Sequence, residues 1–289
     1  MTYIDLLIIG GLDGIATGLL YFVAAAGLSL ILGTLRVLTL AHGLAYLAGT
    51  WLVWHTGGDT MGGLLFALLL AIPAGALLGV VGAAATWPLM RFGHTAQALA
   101  TLGIALIGGQ IFEAATGGAW LPAQAPPALD TVVHIGTATY PGYRLWFIAF
   151  AAAAGLLLAW IVHRTRVGAL ARATATEPQM VASLGINPLV VHIGVFAAGT
   201  AVAVAAGVMA APVLPGGPET GEHILVMSLI IVALGGAGNL GGAALAAVCT
   251  GMISSLGPNI APQAAPFALL GVLIVVLAFR PLGLAGRTA

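Results

Sequence analysis

Ionisable side chains inside long apolar stretches are the first place to look for chemistry, because a charge in hydrocarbon is expensive and is kept mainly for function. In this 289-residue chain the carboxylates within or at the ends of apolar runs are Asp13 and Glu113, and a histidine, His42, opens a run within Ala41-His42-Gly43. A proton- or sodium-coupled carrier calls for an acid near the bilayer midplane. Asp13 and Glu113 both lie close to run ends, which points to interfacial or outer-cavity groups, and Asp13 could also cap the first helix. His42 could line or gate a path. It could equally be a neutral imidazole bonded to a backbone carbonyl at a turn loosened by Gly43. Thr101-Leu102-Gly103 and Gly108-Gly109-Gln110 place small and polar residues on one side of a later run, where they fit a solute-lining face or close helix packing. The seven histidines show neither H-x-x-x-H nor H-E-x-x-H spacing, so no metal centre is expected. No Ser/His/Asp or paired-carboxylate constellation marks an enzyme.

The elements that position these residues are membrane spans. Hydrophobic residues make up 61% of the chain and charged residues 6%, with a mean hydropathy of +1.12, far from a soluble domain. The eight basic residues are all arginine. They form no stripe to neutralise phosphates, which excludes nucleic acid as a partner. Without lysine the chain cannot carry the G-x-x-x-x-G-K-[ST] phosphate loop, so any ATPase that drives it is a separate polypeptide. The lone Cys249 excludes a disulfide framework. The opening MTYIDLLIIGGLDG lacks a basic signal-peptide region and leads directly into a span.

Three of the eight arginines, Arg164, Arg166 and Arg172, fall in His163 to Pro188 between two apolar runs. Positive loops stay on the cytoplasmic side, which places this loop inside. Thr176 with Gln179 reads as a capping box, Pro178 suits a first helical turn, and Gly185 supplies a stop. The pattern predicts a helix over Glu177 to Leu184 whose Met180, Val181 and Leu184 form a small apolar face suited to a groove on another protein, or one that merely tidies a turn.

A span needs about 20 apolar residues. Candidates run from Gly11 to Gly33, Val37 to Trp54, Gly62 to Leu89, Thr95 to Ala115, Leu145 to Val162 and Leu189 to Ala211. The proline-rich segment Thr116 to Tyr143 and the acidic Pro212 to His223 read as outside loops. Ile224 to Leu234 is too short to cross alone and enters GGAGNLGG at Gly235 to Gly242. That cluster, opening with Gly235 and Gly236, suggests a broken helix or tight turn at membrane depth, tolerable where protein or a wet cavity satisfies the backbone. Ala243 to Leu256 and Phe267 to Phe279 complete the count. The expected fold is an all-α polytopic protein, one permease domain over residues 1–289, with eight or nine transmembrane segments, one interrupted. With the N-terminus outside, Arg36, Arg91, the 163–188 loop, Arg280 and Arg287 all lie inside.

Asp13-Gly14-x-x-x-Gly18-x-x-Tyr21, Ala26-Gly27-Leu28-x-Leu30-x-x-Gly33 and Ala41-His42-Gly43 together resemble the opening of the branched-chain amino-acid ABC permease family, its H-type subunit. Arg164-x-Arg166-x-Gly168-x-x-x-Arg172-Ala173, followed by Ala182-x-x-Gly185-Ile186-Asn187, looks like that family's cytoplasmic coupling segment. Ala206-Gly207-Val208, Leu234-Gly235-Gly236-x-Gly238 and Arg280-Pro281-x-Gly283-Leu284 extend the likeness across residues 13 to 284. The chain departs from the family pattern at Asp13 and Thr39, where asparagine is usual, and at Asn239 and Gly241, where serine and proline are common. These departures leave the solute open, since some members import urea or short amides.

The resemblance implies a transport subunit that pairs with a second, similar permease in the lipid bilayer of the bacterial inner membrane. It further implies two cytoplasmic ATPases that hold ATP and Mg, with no cofactor on this chain, and a periplasmic binding protein that delivers the solute. Arg164, Arg166, Gly168, Arg172, Ala173, Glu177, Ala182, Gly185 and Ile186 would form the ATPase-coupling loop. Asp13, His42, Gly43, Thr101, Gly103, Gly235 and Gly236 are the candidates for the pathway or gate. The alternative reading is a stand-alone secondary transporter or channel. It would not need a docking helix and would want a mid-membrane charge.

Overall fold

Backbone N–H and C=O groups in hydrocarbon find partners only within helices or closed barrels, and these apolar runs fold accordingly. The computed structural model describes residues 3–135, 138–280 and 283–284. Its helices are α1 Tyr3–Leu35, α2 His42–Thr56, α3 Met61–Thr86, α4 His94–Thr116, α5 Gly142–Arg164, α6 Arg166–Thr176, α7 Pro178–Ser183, α8 Pro188–Ala210, α9 Thr220–Gly235, α10 Leu240–Ile260 and α11 Ala265–Phe279. A 3-10 turn, Trp87–Phe92, joins α3 to α4. The segment read as an outside loop contains an antiparallel hairpin, β1 Val132–Ile135 with β2 Ala138–Pro141.

Among the described residues six helices are long and apolar enough to cross a membrane: α1, α3 with its 3-10 extension, α4, α5, α8 and α10. α9 and the Phe267–Phe279 part of α11 are apolar but shorter. The protein is thus a multi-pass membrane protein, and among the described residues six helices, rather than the eight or nine segments expected, have full spanning length. The shortfall has a physical cause. The second expected span, Val37 to Trp54, is not one helix: Arg36 to Ala41 is non-helical and α2 begins only at His42.

The start of α2 lies deep in the bundle. His42 reaches the carbonyl of Ala24, and its ring abuts Gly27, in the second half of α1. A Cβ on Gly27 would collide with the backbone of Gly199, midway along α8, and a Cβ on Gly199 would press on the Gly27 carbonyl oxygen at 2.8 Å. α9 begins at the same depth, since a Cβ on Gly43 would overlap the carbonyl of Gly221. Two short helices therefore start face to face in the interior, after stretches of chain that turn back in from opposite sides.

The packing is arranged as an inverted repeat. α1 lies along α10 as α3 lies along α8, α2 packs on α8 as α9 packs on α1, and α2 meets α9 and α1 meets α8 at the centre. α1 to α3 and α8 to α10 thus form two units of long helix, half helix and long helix. Small residues at the contacts allow this close approach in lipid.

The charged residues divide by end. Arg36 and the 3-10 turn carrying Arg91 share a cavity wall with α6 and α7. Gly33 abuts Gly238, and the Leu284 amide, shortly after Arg280, donates to the Leu234 carbonyl at 2.7 Å. Arg144 instead pairs with Asp13 at the opposite end of the bundle. The arginine-rich end is the one that the positive-inside bias assigns to the cytoplasm. Arg287 lies outside the described residues.

Candidate functional site

Both half helices begin without a side-chain cap. The first backbone N–H groups of a helix lack intrahelical acceptors and carry about half a positive charge between them. Helix starts at membrane depth are therefore ready-made sites for anionic groups, as in transporters with discontinuous helices. Here they border a cavity of about 390 Å³. α2 contributes Gly43, Leu44 and Leu47, and α9 contributes Gly221, Glu222 and Leu225. α4 closes the outer wall with Leu102, Leu106, Gln110 and Glu113, and Leu40 lies at the inner end.

The chemistry of this upper cavity is divided. The leucines form an apolar wall. Glu113 accepts a hydrogen bond from the Gln110 amide at 3.3 Å and, with Glu222, offers carboxylate oxygens to a cation. Glu222 sits in the first turn of α9, where it already complements that helix dipole. α2 has no acid in its first turn, so its N-terminus is the better place for a visiting carboxylate.

Gly43 lines this cavity, but Thr101 and His42 do not. The imidazole is 1% exposed, and its Nε2–H donates to the Ala24 carbonyl oxygen at 2.8 Å. That is the backbone-bonded alternative, with His42 holding the start of α2 against α1. Thr101 is fully buried and its hydroxyl accepts the Leu40 N–H at 3.0 Å, tying the Arg36 to Ala41 segment to α4. Gly103 lines neither this cavity nor a tight contact.

Asp13 is spent on an ion pair with Arg144 at the outer end of α1. Beside it burial, reinforced by the Asp13 carboxylate, pushes the Tyr140 phenol up to about 12, so it stays protonated. Gly235 and Gly236 end α9, and the glycine cluster forms the tight turn into α10 near Gly33. Gly236 and Gly238 take positive φ there, and Asn239 caps α10. The mid-depth interruption predicted at this cluster lies instead just before α2 and α9. Gln110 was already a candidate for a solute-lining face, whereas Glu222 escaped the sequence reading. Glu222 stands in a stretch whose polar, proline-rich composition reads as solvent loop, and the only available signal was an acid in a first helical turn.

The 163–188 segment folds as two helices rather than one helix in a loop. Thr165 caps α6 by accepting the Gly168 N–H, while Thr176 bonds back to the Arg172 carbonyl inside α6, so the capping box at Thr176 does not form. Arg164 ends α5 and Arg166 begins α6. Gly168 lets α6 approach the end of α5, and Arg172 ties the two by donating to the Val162 carbonyl. The Ala173 carbonyl accepts the Glu177 N–H at 2.9 Å at the α6–α7 joint. α7 covers the predicted helix to within a residue at each end, and Gly185 stops it with φ +82°, its N–H donating to Ala182. The expected apolar face is altered: Val181 is buried and bonded through its carbonyl to Ile186, while Met180 and Leu184 are exposed.

Half helices meeting inside an inverted pair of helix triplets beside a cavity are an architecture of membrane transport proteins. A sequence profile for the branched-chain amino acid transport system permease component matches residues 11–278. The chain belongs to that family, which is one of transport subunits and not of enzymes. It is similar to the high-affinity branched-chain amino acid transport system permease protein BraD of Pseudomonas aeruginosa, with 26% identity covering 95% of this chain and 94% of that one. No solved structure matches it.

Proposed function

We propose that this chain is one of two permease subunits of an ATP-driven importer in the bacterial inner membrane, and that its solute is an α-amino acid with a branched or other aliphatic side chain. The observation that carries this reading is the upper cavity. An amino acid presents a carboxylate, an ammonium group and an apolar side chain. The cavity offers the uncapped start of α2 at Gly43, the carboxylates of Glu113 and Glu222, and the wall of Leu44, Leu47, Leu102 and Leu106.

The membrane face of the protein supports a second permease. α4 has only Gln97, Thr101 and Phe112 buried, and Leu99, Leu106, Ile107 and Ile111 are exposed. The helix that walls the cavity is thus the least buried of the six long helices and is the natural face for a homologous partner. Met180 and Leu184 on α7, with Val167 on α6, present exposed apolar side chains at the arginine-rich end and would sit in grooves of two cytoplasmic ATPases. ATP and Mg are held there, and a periplasmic binding protein delivers solute to the outer end. ATP binding moves α7, and the two helix triplets exchange outward and inward access around the fixed cavity.

Glu222→Gln tests the assignment. Loss of one hydrogen bond to a charged group predicts that the leucine concentration for half-maximal uptake rises about tenfold or more, with binding-protein-stimulated ATP hydrolysis retained. Unchanged leucine dependence in both Glu222→Gln and Glu113→Gln removes the ammonium site from this cavity. A urea or short-amide solute would be favoured by that outcome, since it needs no carboxylate partner.

A further inference from the structure

A second cavity, of about 490 Å³, lies at the cytoplasmic end. It continues the upper one along the same two elements. On α4, Leu102 to Glu113 face the upper cavity while His94 and Gln97 face the lower. On the segment before α2, Leu40 borders the upper cavity and Arg36 the lower. Between the two stands the hydrogen bond from the Leu40 N–H to the Thr101 hydroxyl, 3.0 Å long, flanked by the buried Val37 and Thr39.

Two groups in the lower cavity ask for a ligand. Gln97 is 3% exposed, lines the cavity, and its amide oxygen has no hydrogen-bond partner among the described residues. A buried acceptor left unpaired is unfavourable, and a donor arriving in the cavity would relieve it. Arg36 is the formally charged side chain in the lining. Its backbone is held at φ +54°, a conformation that costs a non-glycine residue energy and that clusters at functional sites. The far wall is made by Thr174, Gln179 and Ala182 of α6 and α7, so movement of the docking helix reaches this cavity directly.

We propose that the lower cavity is an exit station for the transported amino acid, with Gln97 Oε1 receiving the ammonium group and Arg36 the carboxylate, and that the Leu40–Thr101 hydrogen bond is the inner gate between the two cavities. The inference rests on the upper cavity being the primary solute site. When the gate opens, the solute passes along α4, over which Glu113 and Gln97 are separated by about four turns, and exchanges the Glu113 and Glu222 carboxylates for Gln97. It also exchanges the start of α2 for Arg36, and then leaves past α7.

The test uses the complete transporter in nanodiscs, in a Cys249→Ser background, with one reporter per cavity. Leu106→Cys reports the upper cavity and Met90→Cys the lower, each read as the rate of labelling by a small maleimide with and without leucine during ATP turnover. Leucine is expected to slow labelling at both positions, and Gln97→Leu to remove protection at position 90 while leaving it at position 106. Protection at 106 alone overturns the exit station and spares the upper site. Protection at neither overturns the upper site and the inference with it. For the gate, Thr101→Val in liposomes is expected to raise ATP-independent leucine counterflow about fivefold, the effect of one lost hydrogen bond, and Thr101→Ser to restore it. Counterflow that stays at the wild-type level in a folded Thr101→Val transporter rejects the gate.

Discussion

His42 shows how burial changes the meaning of an ionisable residue. An imidazole at a membrane helix start invites a gating role, yet its hydrogen bond to Ala24 and its 1% exposure make it a brace between α2 and α1. His42→Ala removes that hydrogen bond and the packing of the buried ring and is expected to cost about 1–3 kcal/mol, seen as a lower midpoint of thermal unfolding in detergent. His42→Gln keeps a donor and is expected to retain uptake. Uptake abolished in a fully stable His42→Gln protein would return the residue to the pathway. Asp13 was legible as an interfacial acid from its place near the end of a run. Its partner Arg144, 131 residues away, was not, because ion pairing across a bundle depends on which helix ends are neighbours.

At the scale of the element, the long helices α1, α3, α4, α5, α8 and α10 follow directly from apolar runs of spanning length. The half helices do not. Val37 to Trp54 carries hydrophobicity enough for a span, and nothing local announces that its first turn is extended. The structure is held there by contacts from far along the chain, with Gly43 against Gly221 and Gly49 against Val204. Gly43→Val would drive a branched side chain into the α9 backbone. Overpacking of this kind costs about 1–3 kcal/mol or more, and the expected outcome is a drop in both thermal midpoint and uptake. The coupling element gives a different signature. Gly185 has φ +82° and open space around its Cβ position, so Gly185→Val strains the turn after α7 without touching the cavities. It is expected to abolish leucine-stimulated ATP hydrolysis while leaving leucine protection of a cysteine at position 106 intact. Persistence of both stimulation and uptake would show that α7 carries no force.

For the whole molecule, the inverted pairing of α1 to α3 with α8 to α10 supplies two similar rigid units around a shared centre, which is the geometry alternating access requires. Purification in mild detergent from the native membrane is expected to bring two ATPases and a second permease with this chain, with hydrolysis stimulated by leucine-loaded binding protein. A chain that purifies alone and moves solute down an ion gradient would instead be a stand-alone carrier. By itself the sequence determined membrane residence, the long spans, the short helix at Pro178–Ser183 and the permease family. These depend on composition, period and local stop signals, which each segment carries within itself. Only the tertiary structure decided where the helices break, that Gly235 and Gly236 form a turn near the cytoplasmic end, and that Gly43, Glu113 and Glu222 share a cavity. Those outcomes arise from helix N-termini and small residues brought together from opposite ends of the chain, and no local pattern records which surfaces will meet.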